Sequence, residues 1–84
     1  MIRDAQQTTP QLFACLLQAR GARRQQCVRA LVTLGEPQVL REVALAAYAQ
    51  YGNADRLTQA AAVLWEMHAD AEARACLVPL EEEG

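Results

Sequence analysis

The stretch Ala30-Leu31-Val32-Thr33-Leu34-Gly35-Glu36-Pro37-Gln38-Val39-Leu40 decides how this chain folds. Its first half ends a run of apolar residues spaced along one helix face, and its second half opens another run of the same kind. Between them, Gly35 tolerates the left-handed backbone on which helices end. Pro37 suits a first helical turn, where its missing N–H costs nothing. One helix stops and the next starts almost without a linker, so helices 2 and 3 are expected to fold back as antiparallel neighbours.

The same punctuation recurs outward. Gly52 and then the Ala69-Asp70 step follow Gly35 at intervals of 17 residues. Each interval holds one helix and one tight turn, and two of them make a hairpin of about 33 to 34 residues, the size of a helical repeat unit. Upstream, Thr9-Pro10 reads as an N-cap followed by the first helical residue, and Gly21 as the residue closing a helix from Pro10 to about Arg20. Helix 2, Ala22 to Leu34, places Cys27, Ala30, Leu31 and Leu34 inward. Helix 3, Pro37 to Tyr51, aligns Leu40, Val43, Ala44, Ala47, Tyr48 and Tyr51. Helix 4, capped by Asn53, aligns Leu57, Ala60, Ala61, Leu64 and His68. Asp70 caps a short helix 5 reaching Leu77, and Pro79 closes the fold. Residues 1–8 read as a flexible segment, 9–80 as one domain and 81–84 as an acidic tail. The expected fold is all-α: four to five short antiparallel helices, arranged as a helical-hairpin repeat or a small bundle.

Composition supports that class. The chain has 84 residues and is 52% hydrophobic but only 5% aromatic, so its apolar content is mostly Ala and Leu, which favour helix and pack in thin layers. All eight cationic residues are Arg, with no Lys and no Ser, a usage that fits a GC-rich bacterial genome. The net charge of −2 conceals a split: residues 1–64 carry seven Arg against four acids, and residues 65–84 carry one Arg against six. No apolar run approaches the roughly 18 residues of a membrane span, and the first seven residues hold no signal-peptide core. The three cysteines, Cys15, Cys27 and Cys76, form no C-x-x-C pair. A cytoplasmic protein without membrane contact is expected, with Cys15 and Cys27 serving as small buried hydrophobes on their helix stripes.

Superposed on itself with an offset of 33, the chain pairs Cys27 with Ala60, Ala30 with Val63, Leu31 with Leu64 and Leu34 with Met67. The segment from Arg23-Arg24 to Pro37, with A-L-x-x-L-G-E-P at Ala30 to Pro37, resembles the HEAT-like repeats of bacterial scaffold proteins. The corresponding stretch Val63 to Asp70 departs from the pattern, having neither Gly nor Pro. The 38–71 register is similar to a tetratricopeptide unit through Tyr48 and Gly52, although Leu57 is bulky where that family has a small residue and Ala61 small where it has a large one. Either resemblance implies a binding scaffold without chemistry of its own. About two and a half units are present, fewer than the three or more that repeat arrays need.

No arrangement of residues calls for catalysis. His68 is the only histidine, Cys76 lies eight residues on, and no third ligand stands nearby, so no metal or other cofactor is expected. The cysteines have no recognisable activating base, the carboxylates Glu66, Asp70 and Glu72 belong to a surface region, and there is no glycine-rich phosphate loop. Tyr48, Tyr51 and Trp65 are expected in the core. The apolar shoulder Phe13, Leu17, Val28 and Val32 is the candidate partner-binding surface, and Leu45 beside Arg41, opposite the main stripe of helix 3, is the candidate second contact face. Tyr51 to Ala61 also resembles the helix-turn-helix entry of small Fis-type DNA-binding regulators. The helix that would follow carries only Arg74, against the phosphate contacts DNA binding requires. The function expected from the sequence is a small adaptor or chaperone that binds a helix of another protein or a second copy of itself; a structural fragment of a longer repeat protein is the other alternative.

Overall fold

A computed structural model describes residues 8–83; the expected flexible segment at 1–7 lies outside the described residues. Five helices follow one another, α1 (Thr9–Gln18), α2 (Gly21–Leu34), α3 (Pro37–Tyr51), α4 (Ala54–Glu66) and α5 (Asp70–Glu83), with no strand among the described residues. The all-α expectation and the bounds of α3 are met. The start of α1 differs. Thr8, not Thr9, is the N-cap, because Thr8 and Gln11 stand at the spacing of a capping box: the Gln11 N–H donates to Thr8 Oγ1 at 3.4 Å, and the Thr8 N–H donates to Gln11 Oε1 at 2.9 Å. Thr9, freed from capping, is buried at 2% exposure, and its hydroxyl donates to Glu36 Oε1 at 2.8 Å. The Gly35-Glu36-Pro37 turn is thereby tied to the start of α1.

That turn does not do what its brevity suggested. Gly35 adopts the left-handed conformation, φ 64°, and its N–H donates to the Leu31 carbonyl at 3.2 Å. Yet the backbones of α2 and α3 do not approach each other, so they are not antiparallel neighbours. The helical hairpins are α1/α2 and α3/α4, with α5 packed back on α4, and the further contacts α1·α3, α3·α5 and α2·α4 arrange the helices in two rows. One row holds α1, α3 and α5; the other holds α2 and α4. A short turn fixes where the chain reverses, but the apolar faces decide what each helix packs against, and α2 and α3 spend theirs on α1 and α4.

Helix α4 is the centre, touching all four of the others. Leu57, Ala60, Ala61, Val63 and Leu64 are all buried, so apolar residues occupy several sides of this helix. The two small residues let neighbouring helices come close, within the range of about 8 to 10 Å between axes that side-chain size sets. Around them close Leu12, Phe13 and Leu16 of α1, Cys27 and Leu31 of α2, Leu40 and Ala44 of α3, and Ala73 and Cys76 of α5.

The third turn of the 17-residue rhythm works without glycine. After α4, His68 has φ 61°, its N–H donates to the Trp65 carbonyl at 3.0 Å, and the Ala69 N–H donates to the Leu64 carbonyl at 2.9 Å. This pair of bonds is a Schellman motif with histidine in the left-handed position usually held by glycine. Helix 5 then runs on past the expected stop. Pro79 lies inside it and the expected tail residues 81–83 are helical, because Leu77 and Leu80 both pack against the core and hold the chain on its helical path across the proline.

Candidate functional site

One residue of the expected shoulder is not at the surface. Phe13 is 2% exposed and belongs to the core, so it offers nothing to a partner: it lies one position from Leu12 on a helix buried against α2, α3 and α4. Leu17, Val28, Val32 and Leu45 are partly buried against the same core. Arg41 and Leu45 stand on α3, whose backbone does not approach α2, so they are separated from Val28 and Val32. Arg41 forms the one ion pair among the described residues, with Glu42 at 3.7 Å; Arg41 is partly exposed and Glu42 largely so, and such a surface pair adds little stability.

The surface that is assembled lies instead along α2 and α4. Arg24, Gln25, Val28 and Arg29 of α2 and Glu66 of α4 line one depression of about 310 Å³, and Glu66 also borders a second, of about 340 Å³, lined by Ala62, Trp65 and His68. Glu66 thus joins two shallow concavities into one surface across the two-helix row. Trp65 is 46% exposed there, contrary to the core position expected for it. It sits in the last turn of α4, one turn beyond Ala61, at the edge of the buried stripe rather than within it. Tyr51, also expected inside, is 63% exposed at the last residue of α3, where its ring receives the Arg56 guanidinium at 5.1 Å across the α3–α4 turn.

One wall of this surface is held in place by a polar relay. Arg24 Nη2 donates to Gln59 Oε1 at 3.1 Å, Gln59 Nε2 donates to Asp55 Oδ2 at 2.7 Å, and the Asp55 N–H donates to Oδ1 of the α4 N-cap Asn53 at 3.0 Å. The relay runs from the first turns of α2 to the first turn of α4 and sets the two helices side by side. Arg29 and Val28 follow one turn further along α2. In the sequence, the 33-residue offset pairs positions of α2 with positions of α4, while the expected contact surface is the apolar shoulder, of which only Val28 lines this depression.

The remaining chemistry is quiet. His68 is exposed at its turn, and among the described residues no three His, Cys, Asp or Glu side chains converge where a metal ion would sit. Cys76 is fully buried, and burial pushes its thiol pKa up, opposed by the Arg41 charge. Among the described residues, no helix is long and apolar enough to cross a membrane. No family model matches the chain, and neither the curated proteins nor the solved structures offer a significant match.

Proposed function

We propose that this chain is a protein-interaction module, an adaptor or small chaperone that receives an acidic amphipathic helix on the α2–α4 surface. The observation that carries the reading is the combination at that surface: Arg24 and Arg29 flank Val28, and a half-exposed Trp65 lies across the shared Glu66. Neither arginine has an ion-pair partner among the described residues. An amphipathic helix supplies what this surface lacks, apolar side chains for Val28 and Trp65 and carboxylates for the arginines. Tryptophan and arginine are also the side chains that most often anchor such contacts. The carrier of the helix is another protein of the same cytoplasm or a second copy of this chain. Self-association has an observation in its favour, because the last turn of α5 presents Glu81 and Glu82 in exposed positions.

The test is site-specific photocrosslinking in the source organism with the crosslinker at Val28, followed by the mass of the adduct. The expected result is one discrete adduct that is lost in Trp65→Ala and weakened by salt. An adduct of twice the chain mass identifies self-association. A chain that stays monomeric, forms no adduct and is indifferent to Trp65→Ala counts decisively against the reading. Retention on duplex DNA that is equal in the wild type and in Arg24→Gln/Arg29→Gln would likewise remove the arginines from any nucleic-acid role.

A further inference from the structure

Two of the three cysteines meet. Cys15 on α1 and Cys27 on α2 stand equidistant from Gly21, where the α1/α2 hairpin turns, and the packing of that hairpin brings their sulfurs to 3.4 Å, with the Cys27 thiol donating to Cys15 Sγ. All three thiols are free. The pair is asymmetric: Cys15 is partly exposed, and Arg23 Nη2 reaches its sulfur at 3.9 Å, whereas Cys27 is 6% exposed. Burial, and then the hydrogen bond to Cys15, push the Cys27 thiol pKa up. Cys76 lies fully buried in α5, a helix that packs on α3 and α4 and approaches neither α1 nor α2. The function proposed above makes no use of this pair.

From the contact of the two sulfurs, the difference in their exposure and the guanidinium beside the outer one, we propose that Cys15 and Cys27 are a modification site, a dithiol that closes to an intramolecular disulfide by exchange with a small disulfide such as oxidised glutathione. Cys15 is the entry point. Its thiolate attacks one sulfur of glutathione disulfide, the S–S bond breaks, and one glutathione thiolate leaves and takes up a proton. Cys15 is then a mixed disulfide. Cys27 loses its proton and attacks Cys15 Sγ, the second glutathione leaves, and the Cys15–Cys27 bond forms. Two protein thiols are oxidised and one glutathione disulfide is reduced to two glutathiones, so electrons and protons balance. The Arg23 guanidinium, 3.9 Å away, places a positive charge beside the sulfur that makes the first attack. The sulfurs have to close by about 1.4 Å to reach an S–S bond of about 2.05 Å. The existing contact makes the second step intramolecular and faster than attack by a second glutathione.

The full chain, incubated with a glutathione redox buffer under native conditions, tests this by intact mass and peptide mapping. The expected product is a monomer lighter by two hydrogens, with Cys15 joined to Cys27 and with Cys76 open to alkylation once the chain is unfolded. Cys27→Ala removes the resolving thiol and is expected to accumulate a stable glutathione adduct on Cys15. Cys15→Ser is expected to react about tenfold more slowly or not at all, since the thiols that remain are buried. Circular dichroism checks that each variant stays folded; if either unfolds, the wild-type map alone decides. A wild-type chain that stops at the Cys15 adduct, that links Cys76, that gives only intermolecular disulfides, or that reacts no faster folded than in urea overturns the proposal.

Discussion

Two turns of this chain share one backbone conformation and differ in the residue that adopts it, which makes a paired perturbation informative. Gly52 ends α3 at φ 70°, and His68 follows α4 at φ 61°. For an L-residue with a side chain, the left-handed conformation costs about 1 to 2 kcal/mol. A Cβ added at Gly52 meets no atom within 4 Å, so Gly52→Ala changes the backbone term and nothing else in the folded state. The unfolded chain loses freedom in the same substitution, which returns about 0.4 to 1 kcal/mol. The net expectation is a loss of about 0.5 to 1 kcal/mol. His68→Gly runs the exchange in reverse. The His68 side chain is exposed and the bonds of its turn come from backbone N–H groups, so that variant gains about the same amount. For a domain of this size the shifts correspond to about 2 to 8 °C in Tm, downward for Gly52→Ala and upward for His68→Gly. Urea and thermal unfolding followed by circular dichroism measure both. Two shifts of the same sign, or a destabilised His68→Gly, refute the assignment of His68 to the glycine position of a Schellman turn.

Other substitutions probe separate features. Pro79→Ala is expected to stabilise α5 by about 1 to 3 kcal/mol, read as a raised Tm, because the interior proline withholds an N–H from the helix ladder. Leu64→Ala removes a fully buried side chain from the central helix and is expected to cost about 2 to 5 kcal/mol, enough to unfold much of so small a domain in calorimetry. Ala61→Leu overfills the close approach at α4 and is expected to cost about 1 to 3 kcal/mol; a stabilised variant refutes the tight packing assigned to that position. Thr9→Val keeps the shape of a buried residue but deletes its bond to Glu36, with an expected cost of about 0.5 to 1.5 kcal/mol by urea denaturation.

The later turns were legible from local signals, whereas the cap at Thr8, the role of Gly21, which opens α2 instead of closing α1, and the nonlocal pairings were not. Gly35-Glu36-Pro37 and Gly52-Asn53 mark their helix ends because glycine and proline act through the backbone itself, wherever the rest of the chain goes. His68 gives no such sign, since histidine enters a left-handed turn only when the neighbouring helices demand a reversal there. The failed pairing of α2 with α3 has the same origin: a tight turn limits distance at one point, and the buried faces of Cys27, Leu31, Leu40 and Ala44 are satisfied by α1 and α4 instead. Pro79 read as a stop because proline removes a bond, whereas Leu80 beyond it still reaches the core. The contact of Cys15 with Cys27 was available in principle from their equal distances to Gly21. It required knowing that α1 and α2 form the hairpin. The α2–α4 surface was legible only as charge and periodicity, because exposure of Trp65 depends on which side of α4 its neighbours cover.

The position of α4 bears on how the molecule comes apart. In a linear stack each unit leans only on its neighbours, so such proteins fray from an end and lose structure stepwise. Here α1 and α5 never meet, yet both rest on α4, and so do the helices between them. Separating any outer helix strips cover from the same central side chains. Opening therefore propagates through the whole assembly, and the slowest-exchanging amides belong in the middle of α4, at Ala60 to Leu64.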